Sequence, residues 1–361
     1  MDKIKVCHVC NLGMNGKAIF LCNLLEHTNY EKYDITVVNY LAKIAEPIAE
    51  RLKTLPVKIV TPPSKGIFAF CRFLNQYFNE NRFDVCHSHI WDQSGLFLAV
   101  AHRKEIPVRV AHSHNTSKEA NRYGKFKSFI RDKIVWNILL EMIRVHANRY
   151  VACSEEAARW LFKPSIVKRS AYTVAPNGIN LEKFRYLDRV RQNKSAQILF
   201  CGRFVYQKNP IFAIDAFSEY LKIAPDAHLT MIGTGALNNE IRTKIEQLGL
   251  SRQVEIVSET NEMPTYYRSA DLFLFPSHYE GLGITLVEAQ ASGLKCLSSN
   301  TVPKEVQCGL VEFKSLEDGA PAWGNYIANL LENDNLHIDE SLLSRYDAKN
   351  TAKMIEAVYA L

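Results

Sequence analysis

Ser277-His278-Tyr279-Glu280-Gly281-Leu282-Gly283-Ile284-Thr285-Leu286-Val287-Glu288-Ala289-Gln290 is the stretch on which the reading of this chain turns. It follows Asp271-Leu272-Phe273-Leu274-Phe275, an apolar run that reads as a buried strand. Pro276 and Gly281 punctuate the exit from that strand. Residues 283–292 favour helix, and Gly293 stands where a helix C-cap belongs. The unit is therefore strand, loop, helix. Glu280 lies in the loop and Glu288 in the second turn of the helix. Between them are the free backbone N–H groups of a helix start, which favour phosphate. The pattern suits a ligand that joins phosphate to hydroxyl-rich groups, because a carboxylate on each side can accept from sugar or ribose hydroxyls.

The composition sets the frame. A chain of 361 residues is long enough for two domains. Its 47% hydrophobic and 23% charged residues are those of a soluble globular protein. No apolar run reaches membrane-span length. Met1-Asp2-Lys3-Ile4-Lys5-Val6 leads straight into a strand, so no signal peptide and a cytoplasmic location are expected. The nine cysteines are scattered and odd in number, which argues against a disulfide framework. Cys7 and Cys10 have CxxC spacing without a second pair, a weak metal signal. Charge is split along the chain. Residues 1–170 hold 26 Lys+Arg and 15 Asp+Glu, a balance of +11; residues 171–361 hold 18 and 23, a balance of −5. A basic first half implies an anionic partner there.

The rest of the chain repeats one theme. Strands are expected at residues 4–9, 33–38, 57–60, 84–89, 107–115 and 150–154, the start of a doubly wound α/β domain. After the first comes a loop with Gly13 and Gly16, where backbone can approach a ligand. Two His-x-His pairs, His87/His89 and His112/His114, fall at strand ends, where open parallel sheets collect ligands. Alternation puts the members of each pair on one face. Catalysis, backbone hydrogen bonding and metal ligation are the competing readings. Residues 118–149 carry eight Lys+Arg against three acids, with Tyr123, Phe126, Phe129 and Trp136 interleaved. They read as amphipathic helix and as a candidate anchor for an anionic membrane surface; no motif supports nucleic acid. Pro176-Asn177-Gly178 marks a hinge-like turn. The α/β pattern then restarts with residues 196–203, 228–235, 254–257, 295–299 and 309–312.

These segments resemble the retaining glycosyltransferase family 4 on the GT-B fold, and in particular its capsule and exopolysaccharide branch. The resemblance is most specific over residues 196–305, where Gly202-Arg203-Phe204, Gln207-Lys208-Asn209-Pro210 and two glutamates separated by seven residues match the family pattern. It is weaker over residues 84–117, and Gly13 and Gly16 stand apart where the family pairs its glycines. It implies two Rossmann-like domains facing across a cleft: residues 1–172, with a C-terminal helix 346–361 packing back on them, for the acceptor, and residues 173–345 for a nucleotide sugar, a UDP-sugar above all. Arg203, Lys208 and the helix start Gly283-Ile284-Thr285 are then expected to hold the diphosphate, Glu288 the ribose, and Glu280 and His114 the sugar. Gly13, Gly16, His89, Asn177 and Val257 line the substrate site in the same reading. No metal or cofactor is expected, because cations at the leaving diphosphate take the place of one. The acceptor is a glycan or lipid-linked glycan. A nucleotide-sugar 2-epimerase and a non-catalytic binding subunit are the rival readings.

Overall fold

The structure is a computed structural model and describes residues 2–41, 43–62, 66–114, 126–185, 195–258, 260, 262–332 and 335–360, with the side chains of 126–133 excepted. The chain divides into two compact units, Met1–Gly178 with Ala348–Leu361, and Ile179–Asp347.

The first unit is built on seven parallel strands: β1 Ile4–Cys10, β2 Tyr33–Asn39, β3 Val57–Val60, β4 Val85–Ser88, β5 Val108–Ser113, β6 Arg149–Ala152 and β7 Thr173–Val174. Their order is β3-β2-β1-β4-β5-β6-β7, so the winding reverses between β1 and β4. Most of these strands are buried on both faces, which explains their near-continuous apolar runs. The helix Gly16–Leu25 and the C-terminal helix Ala348–Val358 pack together in this unit, with Ala352, Ile355, Val358 and Tyr359 in its core.

The expected boundary at 172/173 moves to Gly178. The short β7 joins β6 in the first sheet, and the following loop is bonded to the same unit. Ala175 N–H donates to the Ala152 carbonyl, Thr351 Oγ1 to that of Pro176 and Asn23 Nδ2 to that of Gly178. At the other end Tyr346 belongs to the second unit, where its carbonyl accepts from Ile179 N–H and its hydroxyl donates to the Glu305 carbonyl. The returning segment therefore starts at Ala348 and not at 346.

The second unit has six parallel strands: β8 Gln197–Cys201, β9 His228–Ile232, β10 Val254–Val257, β11 Leu272–Phe275, β12 Lys295–Ser299 and β13 Val311–Lys314. Their order, β10-β9-β8-β11-β12-β13, reverses between β8 and β11. Its core joins Phe200, Phe217, Met231, Leu274 and Trp323, whose indole N–H is met by the Ser315 carbonyl. The last strand begins later than expected, at Val311. Gly309 has φ +103°, and a β-carbon there would lie 1.9 Å from the His337 carbonyl oxygen, so this position is a turn that only glycine fills.

Among the described residues no helix is long and apolar enough to cross a membrane. The basic segment supplies one long helix, Phe126–His146, while residues 118–125 lie outside the described ones. Of the aromatics noted in it, Trp136 packs on Trp160 with ring centres 4.9 Å apart.

Candidate functional site

The sheet order reverses between β1 and β4 in the first unit and between β8 and β11 in the second, and loops leaving these strands carry several of the expected site residues. The second unit is the simpler. The loop after β8 holds Gly202, Arg203 and Lys208; the loop after β11 holds Glu280 and leads to the helix Ile284–Ala291. Gly202 has φ +156°, a conformation that L side chains rarely adopt, and a β-carbon there would come within 3.2 Å of the Lys208 chain. Lys208 Nζ lies 2.7 Å from Glu280 Oε1, both side chains being mostly buried. Gln207 ties the same loops together. Its amide donates to the Tyr279 carbonyl at 3.1 Å and to Glu280 Oε2 at 3.4 Å, its carbonyl oxygen accepts from Arg203 Nη2 at 3.1 Å, and its backbone carbonyl accepts from His278 N–H at 2.8 Å. Gln207 was not foreseen. The signal for it was its place directly before Lys208.

The helix start is open to an anion. Gly283 at the N-cap has φ +95°, and no side chain caps the helix. The Thr285 hydroxyl is buried without a hydrogen-bond partner among the described residues. Uncapped N–H groups, the helix dipole and an unmet hydroxyl together favour phosphate oxygens. Glu288, further along the helix, accepts from the Tyr267 hydroxyl at 3.0 Å. Burial and the Glu288 charge both raise the Tyr267 pKa, so this phenol stays a donor and fixes one carboxylate oxygen. Val257 ends the edge strand β10, where its carbonyl accepts from Gly233 N–H.

The first unit brings together more than the two histidine pairs. His8 on β1, His87 and His89 from β4, and His112 and His114 from β5 form one buried cluster. Strand register makes it. His8 is level with His87, and Val85 with Val108, so all five rings share one face of the sheet near the C-terminal strand ends. Contacts run from Asn177 Oδ1 to His114 Nδ1 (3.0 Å), from His114 Nε2 to His89 Nδ1 (2.9 Å) and from His89 Nε2 to His8 Nδ1 (3.0 Å). The Tyr359 hydroxyl lies 3.5 Å from His8 Nε2 and 2.6 Å from His87 Nδ1, and His87 Nε2 lies 3.1 Å from His112 Nδ1. Burial drives all five pKa values down, His8 and His114 to about 3 and the others well below the ordinary value, so the rings are neutral. Both His114 nitrogens are engaged, and a contact to a sugar hydroxyl has to displace one of these bonds.

The glycine loop is less open than its counterpart in the second unit. Asn15 caps the helix Gly16–Leu25 with its own side chain, accepting from the N–H groups of Lys17 and Ala18. Gly13 N–H donates to Asn11 Oδ1 at 2.9 Å, and Gly16 is exposed at the helix start.

Comparison with known proteins identifies the family. Residues 14–183 match the family described as Glycosyltransferase Family 4, and residues 187–335 that described as Glycosyl transferases group 1. EpsF of Bacillus subtilis (strain 168), a glycosyltransferase by name, is 31% identical over 345 residues, 90% of this chain and 87% of that protein. The capsular polysaccharide biosynthesis glycosyltransferase CapH of Staphylococcus aureus is 24% identical over 300 residues, 81% of this chain and 80% of its own. In fold, the chain resembles the crystal structure of Anabaena Alr3699/HepE in complex with UDP and glucose, with TM-score 0.79 and 15% identity over 99% of this chain and 100% of that one.

The ion pair in the second unit generates a test. Removing Lys208 leaves the Glu280 carboxylate buried without its partner cation, a loss that costs roughly 3 kcal/mol in comparable pairs. In urea unfolding, Lys208→Met should lower the stability of this unit by about that amount. Lys208→Met combined with Glu280→Gln should recover most of it. Strictly additive losses would show that the two side chains act independently.

Proposed function

This chain belongs to the group 1 glycosyltransferases of glycosyltransferase family 4, on the GT-B fold, and on that premise we propose that it moves a sugar from a UDP-sugar to a hydroxyl of a lipid-linked glycan, with retention at the anomeric carbon. The observation that carries the donor half is the open helix start at Gly283, with the unmet Thr285 hydroxyl, following a loop whose Glu280 pairs with Lys208 and is tied through Gln207 to Arg203. In this reading the diphosphate takes the helix N–H groups and the cations. Charge builds on its leaving oxygen as the glycosidic bond breaks, and donors already fixed in place stabilise it without reorganising. Lys208 keeps two further N–H donors beside the one facing Glu280, so it can serve both. Glu288, one of whose carboxylate oxygens accepts from Tyr267, accepts from the ribose hydroxyls in this reading. Glu280 accepts from the sugar. With that much positive potential at the diphosphate, no Mg²⁺ or Mn²⁺ is required. The departing phosphate takes the acceptor proton on the same face, which gives retention. UDP as the carrier has the support of the HepE likeness, a protein crystallised with UDP and glucose.

The acceptor half rests on the first unit. Its helix Phe126–His146 presents Ile134, Val135 and Ile138 to solvent, at 56%, 46% and 55% exposure, on one face by their spacing. These stand in the stretch 118–149 with its excess of five basic charges. Basic charge beside exposed apolar side chains favours an anionic leaflet, each cation contributing roughly 1 kcal/mol before salt screening. Docking of this face on a membrane would bring the first unit to the surface where lipid-linked glycans lie. Trp136 instead packs its ring against Trp160.

Two measurements test this. By calorimetry in EDTA, the unaltered protein should bind UDP; Glu288→Ala should weaken it at least tenfold, about 1.4 kcal/mol, and Glu280→Ala by less than about threefold. UDP binding that appears only with Mn²⁺, or equal losses in the two variants, contradicts the assignment. In sedimentation with phosphatidylglycerol vesicles, the protein should pellet at low salt and release at high salt. Replacing Ile134 and Ile138 with Asp should abolish pelleting, and pelleting unchanged by that replacement removes this helix as the anchor.

A further inference from the structure

The histidine cluster of the first unit has as many protons as contacts. Six contacts run in one line from Asn177 through His114, His89, His8, Tyr359 and His87 to His112. Burial keeps the five rings neutral, so each brings one N–H, and the Tyr359 hydroxyl brings the sixth donor. With Asn177 Oδ1 at one end, every contact holds a proton only if all six point the same way. His114 then donates from Nδ1 to Asn177, His89 from Nδ1 to His114 Nε2, and His8 from Nδ1 to His89 Nε2. Tyr359 donates to His8 Nε2 across the longest link, His87 from Nδ1 to Tyr359, and His112 from Nδ1 to His87 Nε2. The group left over is the lone pair of His112 Nε2, buried with no hydrogen-bond partner among the described residues. Turning the Asn177 amide would reverse the line and leave a buried N–H there instead, the rarer kind of orphan. All five rings therefore carry their proton on Nδ1.

We propose that Asn177 is a positioning residue for His114: by accepting from Nδ1 it leaves Nε2 as a hydrogen-bond acceptor, and the sugar group this ring selects is a hydroxyl. The proposal rests on the glycosyltransferase reading, with His114 at the transferred sugar. Asn177 is built for such a part. Its side chain is buried against the ring, with 4% exposure for the residue, and so serves His114. The backbone on both sides of it is pinned. Thr351 Oγ1 donates to the Pro176 carbonyl at 3.0 Å and Asn23 Nδ2 to the Gly178 carbonyl at 2.7 Å. A β-carbon at Gly178 would lie 2.6 Å from Thr351 Oγ1, so the turn has no room to shift. A group that orients another must itself be held in this way.

The line of rings behind His114 sharpens the choice of ligand. Of the five, His114 is the most exposed, at 8%, and the others stand at 1% or less, so a ligand meets the cluster at this ring. His89 Nδ1–H already points at His114 Nε2 from 2.9 Å. A hydroxyl that enters this link accepts from His89 and donates to His114, so neither ring loses a partner. Fluorine, an ether oxygen or a carboxylate can only accept. Each would serve His89 and turn a lone pair toward the lone pair of His114. A neutral imidazole also offers an anion no charge to offset that contact. Polar groups left unmet in a buried site are what discriminates strongly between substrates.

Two-bond ¹H–¹⁵N correlation spectra of the full chain, labelled with ¹⁵N-histidine, read the proton positions without substrate. At neutral pH the expected form of His114, whose signals are those lost in His114→Ala, is Nδ1–H. Free neutral histidine prefers Nε2–H, so the result is not the default. Asn177→Leu removes the acceptor and should abolish that form, lower kcat roughly tenfold or more and leave UDP affinity within about twofold. Asn177→Asp keeps an acceptor and should restore both the Nδ1–H form and most of kcat. Donor analogues in which one sugar hydroxyl at a time becomes hydrogen or fluorine read the polarity. At the position whose removal no longer matters in His114→Ala, fluorine should weaken binding as much as hydrogen does. An Nε2–H His114 in the unaltered protein overturns the proposal. So does an Nδ1–H form unmoved by Asn177→Leu, or fluorine bound as well as the parent hydroxyl. Should Asn177→Leu fail to fold, the spectrum of the unaltered chain and the fluorine series decide alone. Because the spectrum needs no donor, its failure is distinct from failure of the donor reading, which UDP calorimetry reports.

Discussion

A carboxylate withdrawn from water needs a cation at hand, and in the second unit Glu280 meets that need through Lys208 at 2.7 Å. This one constraint fixes two loops at once. Glu280 leaves β11 and Lys208 follows β8, the adjacent strands at which the sheet reverses. Gln207 bonds both loops and also reaches Arg203, so the cations and the carboxylate are held as one piece. The helix start at Gly283 follows directly from the Glu280 loop. Its position relative to the cations is therefore set before any ligand arrives, which is the condition for electrostatic stabilisation without reorganisation.

The first unit solves a different problem. Its reversal point lies between β1 and β4, and parallel register there places five imidazoles on one face. Neutral imidazole is both donor and acceptor, so such rings satisfy one another where charged groups would have to be paired. Burial keeps them neutral, and the C-terminal segment supplies Tyr359 as the bridge between His8 and His87. The returning segment is thus tied to the sheet by a polar contact as well as by the apolar side chains of Ala352, Ile355 and Val358.

Much of this was legible because parallel sheets write their strands as apolar runs that end in loops. The units around β11 and β8 could be read from Asp271-Leu272-Phe273-Leu274-Phe275 and from Gly202-Arg203-Phe204, and the α/β alternation gave both sheets. Ser154 is of the residue type that caps helices, and its hydroxyl accepts from Ala157 N–H. What escaped was non-local. His8 looked like one polar residue in an ordinary strand, since its partners lie about 80 residues away in the register of another strand. Gln207 is a neutral residue whose part depends on where Tyr279 falls. Tyr267 sits inside a helix with nothing local to pair it with Glu288. The domain boundary escaped because β7 is only two residues long. Asn177 read as a turn residue, while its side chain turned inward to His114.

Membership of the family makes the chain a glycosyltransferase, and the cradle of Arg203, Lys208 and the open helix start makes retention with a nucleotide leaving group the central claim. The most direct measurement is NMR of the anomeric centre after incubation with a panel of α-linked UDP-sugars and a lipid-linked glycan acceptor. The account predicts an acceptor-linked sugar that keeps the α configuration. A β-linked product would contradict it, and so would an epimerised UDP-sugar formed with no sugar transferred.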